Sequence, residues 1–167
     1  SKAVDQTYMF GSTYFCTYQA TVSSGGGIYR STDGMNWTAS SAGLPTNVTI
    51  YKLVEIGANL YACSNLDLYE STDNGMTWNS VSTNGAKVYN GLFNHASGRR
   101  LIHTTFGMEK TDDNGTTWDT LTTSIKSSTV CGFMQGSNDT VYAYTANDGI
   151  FYSVDTGATW VDITGDL

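Results

Sequence analysis

Ser71–Trp78 reads STDNGMTW, and the chain carries the same pattern four times. The other copies are STDGMNW from Ser31 to Trp37, TDDNGTTW from Thr111 to Trp118, and SVDTGATW from Ser153 to Trp160. Their aspartates, Asp33, Asp73, Asp113 and Asp155, are 40, 40 and 42 residues apart. All four tryptophans of the chain, Trp37, Trp78, Trp118 and Trp160, fall at the last position of a copy. Sequence self-similarity at such a period marks a repeat architecture. A Ser/Thr-x-Asp-x-Gly-x-Thr-Trp segment suits a tight turn between two strands, with the Asp accepting backbone N–H groups as in an Asx turn. Gly75, Gly115 and Gly157 would supply a positive φ without steric cost. Each Trp is then expected to fold beneath its hairpin, removing on the order of 200 Å² from water.

The sequence outside the repeats is consistent with strands. No sustained i, i+3, i+4, i+7 pattern is present. Short alternating runs of Val, Ile, Thr, Tyr and Phe alternate with Gly, Asn, Asp and Ser. The chain has 167 residues with 15 acidic and 8 basic side chains, a net charge of −7. That length supports one domain with its own core. The acid excess argues against nucleic acid or an anionic membrane as partner. No apolar run approaches the 18 or so residues that a spanning helix needs. Nothing at the start reads as a signal peptide, so any leader is expected to have been removed.

The four segments resemble the Asp-box, or bacterial neuraminidase repeat, of sialidases, sortilin-type receptors, xyloglucan hydrolases and photosystem assembly factors. Boxes two to four match at every defined position, and the resemblance covers the whole chain. Box one lacks a residue between Asp33 and Gly34 and has Asn36 in place of Thr, so a shorter or distorted turn is expected. The resemblance implies an all-β propeller of four-stranded antiparallel blades, with the box as a structural turn between the third and fourth strands. The structural set is Asp33, Trp37, Asp73, Gly75, Trp78, Asp113, Gly115, Trp118, Asp155, Gly157 and Trp160. A single propeller domain over 1–167 divides into blades at about 1–41, 42–83, 84–124 and 125–167. In blade two the strands are expected at Thr49–Ile56, Asn59–Ser64, Asp67–Ser71 and Thr77–Val81. Three arrangements are compatible with four blades: a closed four-bladed ring, two chains completing a larger ring, or a piece of a longer chain.

The resemblance also implies that ligands bind among the loops between second and third strands and the links between blades. Those loops contain Tyr18, Asn65, Asp67, Phe106, Asn147 and Asp148, the candidate ligand residues. Aromatic faces stack on sugars, and Asn and Asp satisfy hydroxyl groups. Tyr89 is a further aromatic candidate.

Catalytic signatures are weak. A sialidase needs an arginine triad, an acid/base Asp and a Tyr nucleophile. The three arginines, Arg30, Arg99 and Arg100, lie at a blade edge and beside a turn, and the Arg-Ile-Pro signature is absent. A glycosidase needs two facing carboxylates. Glu70 and Glu109, read together with Arg30 as equivalent exposed positions before the boxes, do not suggest such a pair, and neither does Glu55. Second strands align as TYFC, LYAC, LIH and VYAY, which places Cys16, Cys63, His103 and Tyr144 at one position. Those types could hold zinc or copper, but the spacing matches no local ligand motif, so no metal and no cofactor are expected. The run Asp112, Asp113, Asn114 is explained by turn chemistry rather than calcium. An odd count of three cysteines, Cys16, Cys63 and Cys131, makes no disulfide framework. Sequons at Asn36, Asn47, Asn114 and Asn138 matter only in a eukaryotic secretory context.

The expected function is a non-catalytic, secreted or cell-surface binding module for carbohydrate or glycoconjugate. A self-assembling scaffold of a surface, fibre or virion is the alternative, followed by a fragment of a glycoside hydrolase propeller. Partners are then a glycan or a protein surface, with no nucleic acid, no membrane insertion, and a homodimer as one way to complete a ring.

Overall fold

The computed structural model describes residues 4–19, 26–81, 89–104, 107–121, 125 and 130–165. They form four four-stranded antiparallel sheets, each in simple sequence order. Blade one is β1 (Val4–Phe10), β2 (Thr13–Tyr18), β3 (Gly27–Ser31) and β4 (Thr38–Ala39). Blade two is β5 (Ile50–Ile56), β6 (Asn59–Ser64), β7 (Leu68–Ser71) and β8 (Asn79–Ser80). Blade three is β9 (Tyr89–Asn94), β10 (Arg100–Thr104), β11 (Gly107–Thr111) and β12 (Asp119–Thr120). Blade four is β13 (Val130–Gln135), β14 (Val141–Thr145), β15 (Ile150–Ser153) and β16 (Val161–Asp162). The chain divides into two compact units, Ser1–Ser82 and Thr83–Leu167, each holding two blades.

The fourth strands are two residues long, shorter than the Thr77–Val81 expected in blade two. The Thr77 amide and hydroxyl are both taken by Asp73. The Trp78 amide instead donates to the Ala42 carbonyl of the link from blade one, at 2.9 Å. Pairing with β7 therefore begins only at Asn79.

The box turns follow one plan. Asp73 accepts from the Thr77 amide at 2.9 Å, the Thr77 hydroxyl at 2.6 Å and the Ser71 hydroxyl at 2.8 Å. Ser71 in turn accepts from the Gly75 amide at 2.8 Å. Boxes three and four repeat these bonds through Thr117 and Thr111, and through Thr159 and Ser153. Box one is shorter, as expected, yet it keeps the cage. The Asn36 amide donates to Asp33 at 2.7 Å, and the Asn36 side-chain NH2 replaces the Thr hydroxyl at 2.7 Å.

In each unit one sheet face packs on its neighbour. In the first unit, Phe15 and Ile28 of blade one, flanked by Tyr8 and Phe10, meet Leu53, Leu60, Ala62, Tyr69 and Trp78 of blade two. In the second, Leu101 and Met108 of blade three, flanked by Phe93, meet Val141, Ala143, Phe151 and Trp160 of blade four, flanked by Phe133. The two joints use the same positions. Leu53, Ala62 and Tyr69 form one cross-strand row, as do Phe133, Ala143 and Phe151. A box glycine closes each corner. Gly75 has φ +77°, and a Cβ there would lie 2.5 Å from the Phe15 ring; Gly157 has φ +88°, and a Cβ would lie 2.7 Å from Leu101. The Trp78 indole N–H reaches across to the Ser40 carbonyl at 2.8 Å, and the Ser40 hydroxyl bonds the Gly75 carbonyl.

The tryptophans do not all fold away. Trp78 and Trp160 are buried, Trp118 is half-buried, and Trp37 is 39% exposed. Trp78 and Trp160 have a preceding blade within their own unit to pack on. Trp37 closes its own turn, its indole N–H donating to the Gly34 carbonyl at 3.2 Å.

The pairing registers correct two alignments made from sequence. Cys63, His103 and Tyr144 pair with Leu68, Met108 and Ile150 on the third strands. The blade-one residue in that register is Thr17, which pairs with Ile28; Cys16 pairs with Tyr29 and matches Ala62. Likewise Arg30 and Glu70 match Lys110, not Glu109. Glu109 occupies the register of Tyr29, Tyr69 and Phe151 and is buried, 2% exposed. Strand alternation has period two, so a one-residue error in alignment reverses which face a side chain is assigned to.

Candidate functional site

The sequence-selected loop residues separate into those that hold loops together and those left available. Asn65 and Asp67 belong to the first group. The Thr49 amide donates to the Asn65 side-chain carbonyl at 2.7 Å. Asp67 accepts from the Leu68 amide at 2.8 Å and from the Ser80 hydroxyl. The Ser64 hydroxyl spans the same turn, donating to the Asp67 carbonyl at 2.6 Å and accepting from the Asp67 amide at 3.0 Å. Such bonds fix a β6–β7 turn and tie it to β8. Phe106 lies outside the described residues.

Tyr18 is not a loop aromatic. It is buried at the end of β2, its ring 5.3 Å from that of Tyr29. With Val4, Thr7, Cys16, Tyr29 and Trp37 it lines a shallow recess of about 530 Å³ on the broad face of blade one.

Asn147 and Asp148 behave differently. Both lie between β14 and β15, where Asn147 is exposed and Asp148 half-buried. The Asp148 amide donates to the Thr145 hydroxyl at 2.9 Å, and the Thr164 hydroxyl donates to the Asp148 carbonyl at 3.3 Å. The backbone is thus pinned from both sides. The Asp148 Oδ2 is nevertheless shielded and has no hydrogen-bond donor among the described residues. Buried polar atoms are nearly always satisfied, so this shielded acceptor is an unmet demand that an outside donor meets only if the loop shifts to expose it.

Tyr144, at the end of β14, adds an aromatic surface that ligand reasoning from sequence missed. It pairs with Gly132, and a Cβ on that glycine would lie 2.4 Å from the Tyr144 hydroxyl and 2.8 Å from the ring Cε1. The ring therefore lies flat over bare backbone, and the side chain stays 51% exposed. The sequence signal was Gly132 itself, a strand-interior glycine opposite a tyrosine.

Arg99, Arg100 and Glu70, weighed for catalysis, have local partners. Arg99 pairs with Asp112 at 2.6 Å and donates to the Thr156 hydroxyl of box four at 2.8 Å. Arg100 donates to the Asn114 carbonyl of box three at 2.8 Å. Glu70 accepts from Asn59 at 2.8 Å and from the Tyr61 hydroxyl. The Arg99 guanidinium, helped by Lys110, holds Asp112 down at about 2. Burial lowers the His103 imidazole, which favours its neutral form. Among the described residues no three His, Cys, Asp or Glu side chains converge as metal ligands. All three cysteines are free thiols, with Cys16 and Cys63 buried and Cys131 exposed.

Four sequential antiparallel sheets closed by Asp-box turns define a β-propeller blade array. Residues 2–105 match the family described as the DUF6242 beta propeller domain, and the chain belongs to that family. A curated relative is a xyloglucanase of Hypocrea jecorina (strain QM6a), 28% identical over 93% of this chain. The chain spans 22% of that protein. An ancestral GH74 enzyme superposes with a TM-score of 0.77 at 18% identity, covering 98% of this chain and 24% of its own. The extracellular domain of a putative hybrid two component system from B. thetaiotaomicron gives 0.76 at 15% identity, covering 98% and 22%. Both structural likenesses establish the fold.

Proposed function

We propose that this chain is a non-catalytic glycan-binding propeller module acting outside the cytoplasm, with the β14–β15 loop of blade four as its contact site. The observation that carries this reading is exposed Asn147 next to Asp148 with its unmatched Oδ2 in the β14–β15 loop, with the half-exposed Tyr144 ring at the end of the strand that leads into it. An aromatic face takes the apolar C–H face of a sugar, an amide donates and accepts, and a carboxylate accepts from hydroxyl groups. The sequence relationship to a xyloglucanase favours xyloglucan as the first ligand to try. The extracellular relative favours the same compartment.

The test is calorimetric titration with xyloglucan oligosaccharides and a panel of other neutral glycans, alongside a reducing-sugar assay. Binding without turnover is expected, weakened at least tenfold in Asp148→Ala, Asn147→Ala and Tyr144→Ala with thermal midpoints unchanged. Release of reducing ends would favour the hydrolase-fragment reading instead. Equal binding by wild type and all three variants would move the site elsewhere.

A further inference from the structure

The face of blade one that does not meet blade two is built to receive a blade. Its row Thr7, Cys16 and Tyr29 is one cross-strand set, in register with Leu53, Ala62, Tyr69 of blade two and Phe133, Ala143, Phe151 of blade four. Trp37 takes the place of Trp78 and Trp160. In blades two and four those positions are packed against the preceding blade of the same unit. In blade one they line the open recess with Val4 and Tyr18, and Trp37 and Val4 are exposed. The recess offers mainly apolar carbon, which suits a packed partner rather than a polar ligand.

The chain also carries the complementary surface. In the two joints the incoming pair is Tyr8 with Phe15, and Phe93 with Leu101, each pair facing across first and second strands. The same register in blade four is Met134 with Tyr142. Met134 is exposed, as is Val161, which lies in the same row beyond Tyr152. Tyr142 is half-buried beside Tyr152, its ring lying over Gly136.

We infer that the chain self-associates head to tail, with the Met134–Tyr142 row of one copy seated in the Val4, Thr7, Tyr29, Trp37 recess of a second copy. The contact repeats, between molecules, the joint that each unit makes between its own two blades. Such a heterologous contact closes a ring if the rotation allows and extends as a filament if it does not.

Light scattering across a dilution series, with Trp quenching by acrylamide, tests it on the whole chain. Wild type is expected at twice 18.0 kDa or above at high concentration, with a quenching component lost as Trp37 is covered. Thr7→Glu and Met134→Glu each place an unpaired charge in the joint and should weaken association about 100-fold. Both positions are exposed, so circular dichroism and thermal midpoints should match wild type. Should either variant misfold, Val4→Glu and Val161→Glu probe the same two faces. Mixing Thr7→Glu chains with Met134→Glu chains leaves one intact joint and should restore a species of two chains. A wild type that stays monomeric throughout, or variants that associate as wild type does, would overturn the inference.

Discussion

Hydrogen-bond geometry explains why the same few residue types recur at the box. The Asp needs two oxygens because one takes an amide and the other a hydroxyl, and the Ser or Thr two places earlier bonds both the Asp and the glycine amide. Asn36 shows that the donor matters more than the residue type, since an amide NH2 serves where Thr is absent. These bonds stabilise the charged carboxylate. The Thr77 hydroxyl and amide hold Asp73 down at about 2, the Asn36 amide and side chain lower Asp33, and the Thr117 hydroxyl lowers Asp113. At Asp155 burial acts to raise the value, and the Thr159 bonds outweigh it. An unfolded Asp titrates near 3.9. The unfolded chain therefore takes up protons first as pH falls. The stabilisation is complete above about pH 5 and is lost progressively as pH falls through the lowered carboxyl values, Asp73's at about 2. Chemical denaturation at stepped pH should show stability falling through that window. Asp73→Asn should flatten the fall and also lower stability at neutral pH by about 1 kcal/mol, a value discounted for solvent exposure. A steeper acid loss in the variant would contradict the assignment. At the thiols, burial raises Cys16. Cys131 is exposed, and it should react first with a thiol reagent at neutral pH, with Cys16 and Cys63 following only on unfolding.

The strand and the blade are where sequence reading succeeded and where it slipped. The repeat located all four third-strand turns, because Asp, Gly and Trp announce themselves at fixed offsets. Second-strand alignment lacked such anchors. TYFC and LYAC look superimposable, yet Cys16 pairs with Tyr29 and Ala62 with Tyr69, so the two match and Cys63 does not. Glu109 was misplaced for the same reason, one residue from Lys110. Side-chain satisfaction was equally hidden. Nothing in the letters separates Asn65 and Asp67, which fasten a turn, from Asn147 and Asp148, which leave an acceptor open. Packing also divides positions that the repeat makes look identical. Trp78 and Trp37 are the same box residue, one buried against its preceding blade and one exposed. Trp78→Ala should cost about 3–5 kcal/mol as a core truncation, and Trp37→Ala about 1 kcal/mol or less. Gly75→Ala should be nearly as damaging as the first, because strain at positive φ adds to the clash with Phe15. Denaturant midpoints of the three variants decide the order, and equal losses at Trp37 and Trp78 would mean that the preceding blade contributes nothing to the tryptophan's burial energy.

At the scale of the molecule, the described residues form two apolar clusters, one within each unit. The first draws on residues from Tyr8 to Trp78, the second on residues from Phe93 to Trp160, and they share no member. Repeat proteins of this kind sum local units and their joints, so damage should stay near its source. Trp78 is a member of the first cluster, so its truncation removes packing there. Native-state hydrogen exchange should then accelerate across β1 to β8, while amides of β13 to β16 keep their wild-type rates. Trp160→Ala should produce the opposite map. The free-energy losses of the two substitutions should add within about 0.5 kcal/mol in the double variant, since sites with no shared partner are independent. A Trp78→Ala protein that loses protection equally in all sixteen strands would show a single cooperative unit, with the two clusters coupled as strongly as the blades within each.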